Sequence, residues 1–303
     1  MKKNEWKTFL SEFFTPRMII AAVVLLAVIF LAAGAPLFTH YDANEVDLVN
    51  MLQAPSTQHW FGTDAVGRDQ FTRVLYGGRT SLINALLVVL LAMFVGIPMG
   101  LICGYKGGFI DRIWTTVCDF LLAFPVLLLA FVLVVALGRG GHIAVIALAI
   151  VYIPSISKLA RSLILTEKTK GYVEACKSVC FSDMRIIFSH ILPNCIPTMV
   201  AEITLDFGYA IIGLTSLSFL GLGVQAPKAD WGCMLSEGMA YIFRFPMLSL
   251  APAICIVIVS LSLNVLSDGI MMYVDPDQRK VPSFKQYEKK MRKKGADYGG
   301  EHS

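Results

Sequence analysis

The chain has 303 residues, 56% of them hydrophobic and 16% charged, with a mean hydropathy of +0.65. That balance excludes an ordinary soluble domain and points to a membrane protein of several spans. The net charge of +4 gives no reason to expect nucleic acid as a partner. The seven cysteines contain no CxxC and no Cys/His pair at ligand spacing, so neither a disulfide framework nor a zinc site is supported.

About 20 apolar residues cross a bilayer, and six stretches qualify: Met18 to Phe38, Leu82 to Cys103, Ile113 to Leu137, Ile143 to Ser157, Ile196 to Leu220 and Leu248 to Tyr273. The fourth is short, with room to extend past Lys158. Alternating loops from a cytoplasmic N-terminus place 20 Lys and Arg inside and 6 outside. This is the positive-inside signature, and it predicts both termini in the cytoplasm. The first span ends in Ala33-Gly34-Ala35, a pattern a signal peptidase could accept, but the apolar run exceeds a signal core and reads as an uncleaved anchor. Pro98, Pro125 and Pro154 mark kinks that neighbouring helices can satisfy, and Gly96 with Gly100 forms a close-packing pair.

Between spans one and two, His59, Asp64 and Asp69 surround a glycine-rich turn. It reads as structural, because hard cations need more oxygens than this and the glycines explain the turn. Asp69 is placed to cap a helix bearing Phe71, Val74 and Leu75, predicted to lie at the outer membrane interface.

Residues 170–194 are too polar to span and too apolar for a plain linker. The spacing predicts two short helices: Tyr172, Val173, Cys176, Val179 and Cys180 on the first, then Ser182-Asp183 capping a second that carries Met184, Ile187, Phe188 and Ile191 and closes at Pro193. Such an apolar ridge suits a protein groove or a lipid surface.

Four acids fall within the predicted spans, Asp119, Glu202, Asp206 and Asp268, with no Lys or Arg among them. Asp206 lies about 15 Å deep, near the midplane, and Glu202 is one turn away on the same face. Both are pathway candidates, as are Asp119 and Asp268 nearer the interface.

No phosphate loop, G-x-S-x-G elbow or H-E-x-x-H zinc motif occurs, and no channel filter or voltage-sensor pattern. An embedded enzyme lacks a nucleophile and base. An autonomous secondary transporter using Asp206 and Glu202 as a relay lacks a visible inverted repeat.

Glu174-Ala175 followed by Ile191-Leu192-Pro193 resembles the EAA loop of ABC importer permeases. Phe61-Gly-Thr-Asp-Ala-Val-Gly-Arg-Asp69 with Leu75-Tyr-Gly-Gly-Arg-Thr-Ser81, Leu217-Ser-Phe-Leu-Gly-Leu-Gly-Val224 with Trp231-Gly232, and Asp275-Pro276 are similar to the second permease subunit of dipeptide, oligopeptide and nickel importers. Cys176 and Cys180 stand where that family usually has Ala and Gly; the second departure puts a Cβ at a turn that favours a left-handed backbone, unless Ser182 makes the turn instead.

The resemblance implies an all-α integral membrane protein of the MetI-like type I bundle with six transmembrane helices. It implies a non-catalytic subunit that binds no cofactor, with ATP and Mg held by two partner ATPases. The further partners are a homologous permease, an extracytoplasmic binding protein and membrane lipid, in a bacterial or archaeal plasma membrane. The expected substrate is a peptide, with nickel or a metal chelate as the alternative. The implied organisation is a cytoplasmic segment 1–17, the first helix 18–38, an extracytoplasmic segment 39–79, a five-helix core 80–275 holding the coupling loop 171–193, and a basic tail 276–303. Tyr172, Glu174, Ala175, Cys176, Cys180, Ser182, Asp183, Ile191, Leu192 and Pro193 are the implied ATPase-coupling residues. Gly62, Asp64, Gly67, Arg68 and Asp69 are implied to form the outer rim where the binding protein docks.

Overall fold

The computed structural model describes residues 16–274; the expected basic tail with Asp275-Pro276 and nearly all of the N-terminal segment lie outside the described residues. Every regular element described is helical, and the one β-type pairing is an isolated bridge between Thr63 and Asp69. Helix α1 (Pro16–Ala33) is apolar all round, and its buried stripe of Met18, Ala21, Leu25 and Ala32 faces the bundle. A short α2 (Ala35–Phe38) follows, and an irregular segment with one 3₁₀ turn at Leu48–Asn50 leads to the second span.

Helix α3 (Gln70–Lys106) has 37 residues, about 55 Å at 1.5 Å per residue, and so overreaches the hydrocarbon. Asp69 caps it as expected, accepting from Thr72 N at 2.8 Å. The separate interfacial helix expected here does not exist. Val74 and Leu75 are buried, because this turn continues unbroken into the span and packs inward.

The third apolar stretch is not one straight helix. It comprises α4 (Gly108–Leu122) and α5 (Val126–Leu137), bent by 95° at a break whose last residue is Pro125. Proline cannot donate the bond that would join them and disfavours a helical residue before it. Pro98 and Pro154, by contrast, sit inside intact helices. Five helices are long and apolar enough to cross a membrane, or six when the bent pair counts as one crossing.

Helix α6 (Gly141–Glu167) runs well past Lys158. After α7 (Gly171–Ser178), helix α8 (Asp183–Phe219) begins outside the span and continues into it. Pro193 therefore does not close a second short helix. A π turn over Ile186–Ile191 widens the backbone just ahead of it, where its ring would otherwise clash with the preceding turn. Helix α9 (Trp231–Met239) was not foreseen, and α10 (Met247–Val274) is the last span.

The pair α3 and α6 forms the spine of the bundle. Gly96, Gly100 and Gly104 recur every fourth residue on α3 and let it approach the α6 backbone: a Cβ on Gly100 would sit 2.2 Å from the Ser157 carbonyl oxygen. One large apolar core lies mid-bundle around Val88, Ala147, Leu148 and Ile211. A second fills the end that carries α7.

Candidate functional site

At the α7 end, a small helix is seated on the bundle by its apolar side. Val173 is fully buried with Leu101, Ala160, Ile164, Ile186, Ile187 and Ile191, which ties α7 to α3, α6 and α8 at once. Tyr172 donates to Glu167 Oε2 at 2.7 Å, and its burial pushes the phenol pKa up. Lys168 reaches across to the Gly104 carbonyl at 2.9 Å. The ridge expected on this loop is therefore divided. Tyr172, Val173, Cys176, Ile187 and Ile191 anchor the loop, with Leu192 half-buried beside them, while Glu174, Ala175, Val179, Cys180, Met184 and Phe188 stay exposed.

Cys180 takes φ +58. Its N–H donates to the Lys177 carbonyl and the Phe181 N–H to the Cys176 carbonyl, the paired bonds that terminate a helix through a left-handed residue. The alternative turn at Ser182 is not used: Ser182 is extended, at φ −66 and ψ 149, and its side chain makes no cap. Arg185 stacks over the Phe181 ring at 4.1 Å, and Phe181 stacks on His190 at 5.5 Å. Asp183 and Pro193 are exposed. The site thus presents a polar and apolar outer surface on a rigid seat, joined through one tight turn to a helix that enters the membrane.

At the opposite end, the glycine-rich turn is a brace. Gly62 and Gly67 have φ of +78 and +83, and a Cβ on Gly67 would fall 1.8 Å from the Asp47 carbonyl oxygen. The residues expected to form an outer rim, Gly62, Asp64, Gly67, Arg68 and Asp69, are all buried and shape this end from within. Arg68 pairs with Asp64 at 2.6 Å and with Glu237 of α9 at 3.0 Å. Burial works against its charge, yet the two carboxylates prevail and hold its pKa above the usual value. Asp69 also pairs with His59 at 2.9 Å.

Sequence reasoning missed the centre of this network. Arg73 is fully buried and donates to Glu237 at 2.8 Å and to the carbonyls of Ala43 and Pro227 at 3.1 and 3.2 Å. Its carboxylate partner is 164 positions away, beyond any local pattern. Asp230 caps α9 through the Gly232 and Cys233 N–H groups and accepts from Ser81 at 2.8 Å. Burial raises its pKa. Trp231 donates to the Val74 carbonyl at 2.9 Å and fills the space left by Gly77 and Gly78, so two sequence motifs far apart in the chain pack directly together.

The four acids are not alike. Asp119 is exposed and paired with Lys158, a cation that α6 brings within range by continuing beyond its expected end. Asp268 is exposed and Glu202 half-buried. Asp206 is buried inside the bundle, and its Oδ2 has no hydrogen-bond partner among the described residues.

These features together define a helical membrane subunit with a short helix and turn seated on the bundle at one end and a braced cap at the other. Residues 96–280 match the family described as binding-protein-dependent transport system inner membrane component, and the chain belongs to that family. It is a multi-pass permease subunit of the inner membrane. It is 40% identical over 261 residues to a dipeptide transport system permease protein of Alkalihalophilus pseudofirmus, covering 86% of each chain. It is 37% identical over 276 residues to a glutathione transport system permease protein of Pectobacterium atrosepticum, covering 90% of this chain and 92% of the relative. A chain of a methionine ABC transporter, solved in inward-facing conformations, shares the fold with a TM-score of 0.56 at 18% identity, over 67% of this chain and 96% of its own.

Proposed function

We propose that this chain is one of two permease subunits of an ATP-driven peptide importer, with α7 and the turn at Cys180 as the element that two cytoplasmic ATPases grip. The observation that carries this reading is the exposed Glu174 and Ala175 on a helix whose other face is locked into α3, α6 and α8. A push on that surface cannot be absorbed locally, because Val173 is fully buried and α8 continues from the turn into the membrane. ATP and Mg belong to the ATPases. A homologous permease and an extracytoplasmic binding protein complete the assembly, and the α7 end faces the cytoplasm. A peptide is favoured over nickel by the dipeptide and glutathione permeases that the chain is similar to over most of its length.

Glu174→Arg or Ala175→Arg tests the reading. Each variant is expected to insert normally while losing co-purification of the ATPases, or to keep them while uptake stops and hydrolysis continues. Wild-type co-purification and wild-type uptake together contradict it.

A further inference from the structure

A cavity of about 500 Å³ opens beside α3 at the α9 end, away from α7 and its turn. It is lined by the apolar Leu87, Leu91, Val145, Ile146 and Val224, of which Leu87, Leu91 and Ile146 are exposed, and by the polar Thr80, Asn84, His142, Gln225 and Lys228. Each of those polar side chains can donate a hydrogen bond, Lys228 is a cation, and no acid lines the space. Lys228 is exposed and forms no ion pair among the described residues.

Its backbone is nonetheless fixed on both sides. The Pro227 carbonyl accepts from buried Arg73, and buried Asp230 is bonded to Ser81, next to Thr80 of the same lining. Gly141 and Val224 meet closely in the lining, since a Cβ on Gly141 would lie 2.9 Å from Val224 Cγ2. An ammonium with no ion-pair partner beside an apolar recess, with neutral side chains that can donate to an anion and no carboxylate to compete for the charge, is chemistry for a carboxylate on a partly apolar molecule.

We infer that this cavity is a substrate site that receives the terminal carboxylate of a peptide at Lys228, with His142, Asn84 and Gln225 as accessory donors and the apolar wall taking the adjoining side chain. The inference rests on the peptide reading above and assigns it a specific contact. Lys228 would act by charge and not by shape, so Lys228→Arg retains function and Lys228→Gln does not.

The test uses the full complex in proteoliposomes, with trialanine and its C-terminal amide as probes. Uptake is measured at saturating binding protein. In parallel, a chain lacking its native cysteines and carrying Thr80→Cys, a lining position given no role toward the carboxylate, is labelled with a membrane-impermeant maleimide. The free acid is expected to protect the thiol and the amide is not, with protection lost in Lys228→Gln and kept in Lys228→Arg. Lys228→Gln is expected to slow uptake of the acid at least tenfold and to leave uptake of the amide at its wild-type rate. Equal protection by acid and amide, or protection that survives Lys228→Gln, overturns the site. Protection by the acid without uptake of either peptide keeps the carboxylate site and removes the peptide importer reading. Uptake without protection does the reverse.

Discussion

Arg73 and Cys180 show how single residues set the two ends of this permease. Arg73 is a fully buried cation held by Glu237, two carbonyls and, at 3.5 Å, Asp64. Removing Arg73 takes the cation from buried Asp64 and half-buried Glu237, and leaves carboxylates without compensation in a partly desolvated site. Arg73→Met is therefore expected to lower the unfolding midpoint in detergent markedly, and Arg73→Met combined with Glu237→Gln less than the two single losses would sum to; strict additivity would show that the pair is not coupled. Cys180 occupies a left-handed position that costs about 1 kcal/mol for a residue with a Cβ. Cys180→Gly is expected to keep stability and coupling, whereas Cys180→Val, β-branched and exposed, destabilises the turn and reduces uptake. Equal uptake by the glycine and valine variants would mean that the turn geometry does not matter. Asp206 is a third case. Its buried carboxylate, with Oδ2 unpartnered among the described residues, suits either packing or a pathway that opens when helices move, and Asp206→Asn separates these: a pathway role predicts an assembled complex with impaired uptake of cationic peptides, while failure to assemble assigns the residue to packing.

Among the elements, the α3–α6 contact is the one the rest depends on. The glycines at 96, 100 and 104 allow backbone approach that no side chain could share. Gly100→Leu would force the helices apart, with an overpacking cost on the order of 1–3 kcal/mol or more where backbone must move. The expected outcome is poor folded yield and a lowered midpoint; an unchanged midpoint would show the helices are not held by this contact. Much of this scale was legible beforehand. The Gly96 and Gly100 pair, the cap at Asp69 and the apolar runs are local patterns, and local patterns survive into the fold. What failed to read was long-range. Nothing near Pro125 says that it ends a helix while Pro98 and Pro154 do not, because that depends on what packs alongside. The same holds for Pro193, where a π turn supplies the room. Helix α9 had a local signal, the Asp230 cap on the Gly232 and Cys233 N–H groups, but at nine residues it is too short to stand out by periodicity; the bond from Ser81 that buries the cap was out of local reach.

For the whole molecule, the fold and the family were carried by motifs that prove to be contacts: Trp231 packs on Gly77 and Gly78, and Glu174 with Ala175 stands on a seat that includes Ile191. The site residues were legible as a group but not by face, since sequence spacing cannot tell which side of α7 meets the bundle. The proposed orientation follows from the charge asymmetry of 20 to 6. On a cysteine-free chain in intact cells, thiols at positions 58 and 228 are expected to react with an impermeant reagent, and one at position 168 only after permeabilisation. Reaction at 168 from outside would invert the molecule. The coupling claim is tested most directly by Ala175→Cys in the assembled complex, treated with a short bifunctional thiol cross-linker. The account predicts a covalent product between this chain and an ATPase subunit, formed at position 175 and absent for a thiol at Gln225. No ATPase adduct at 175, with reaction there from outside the cell, would contradict it.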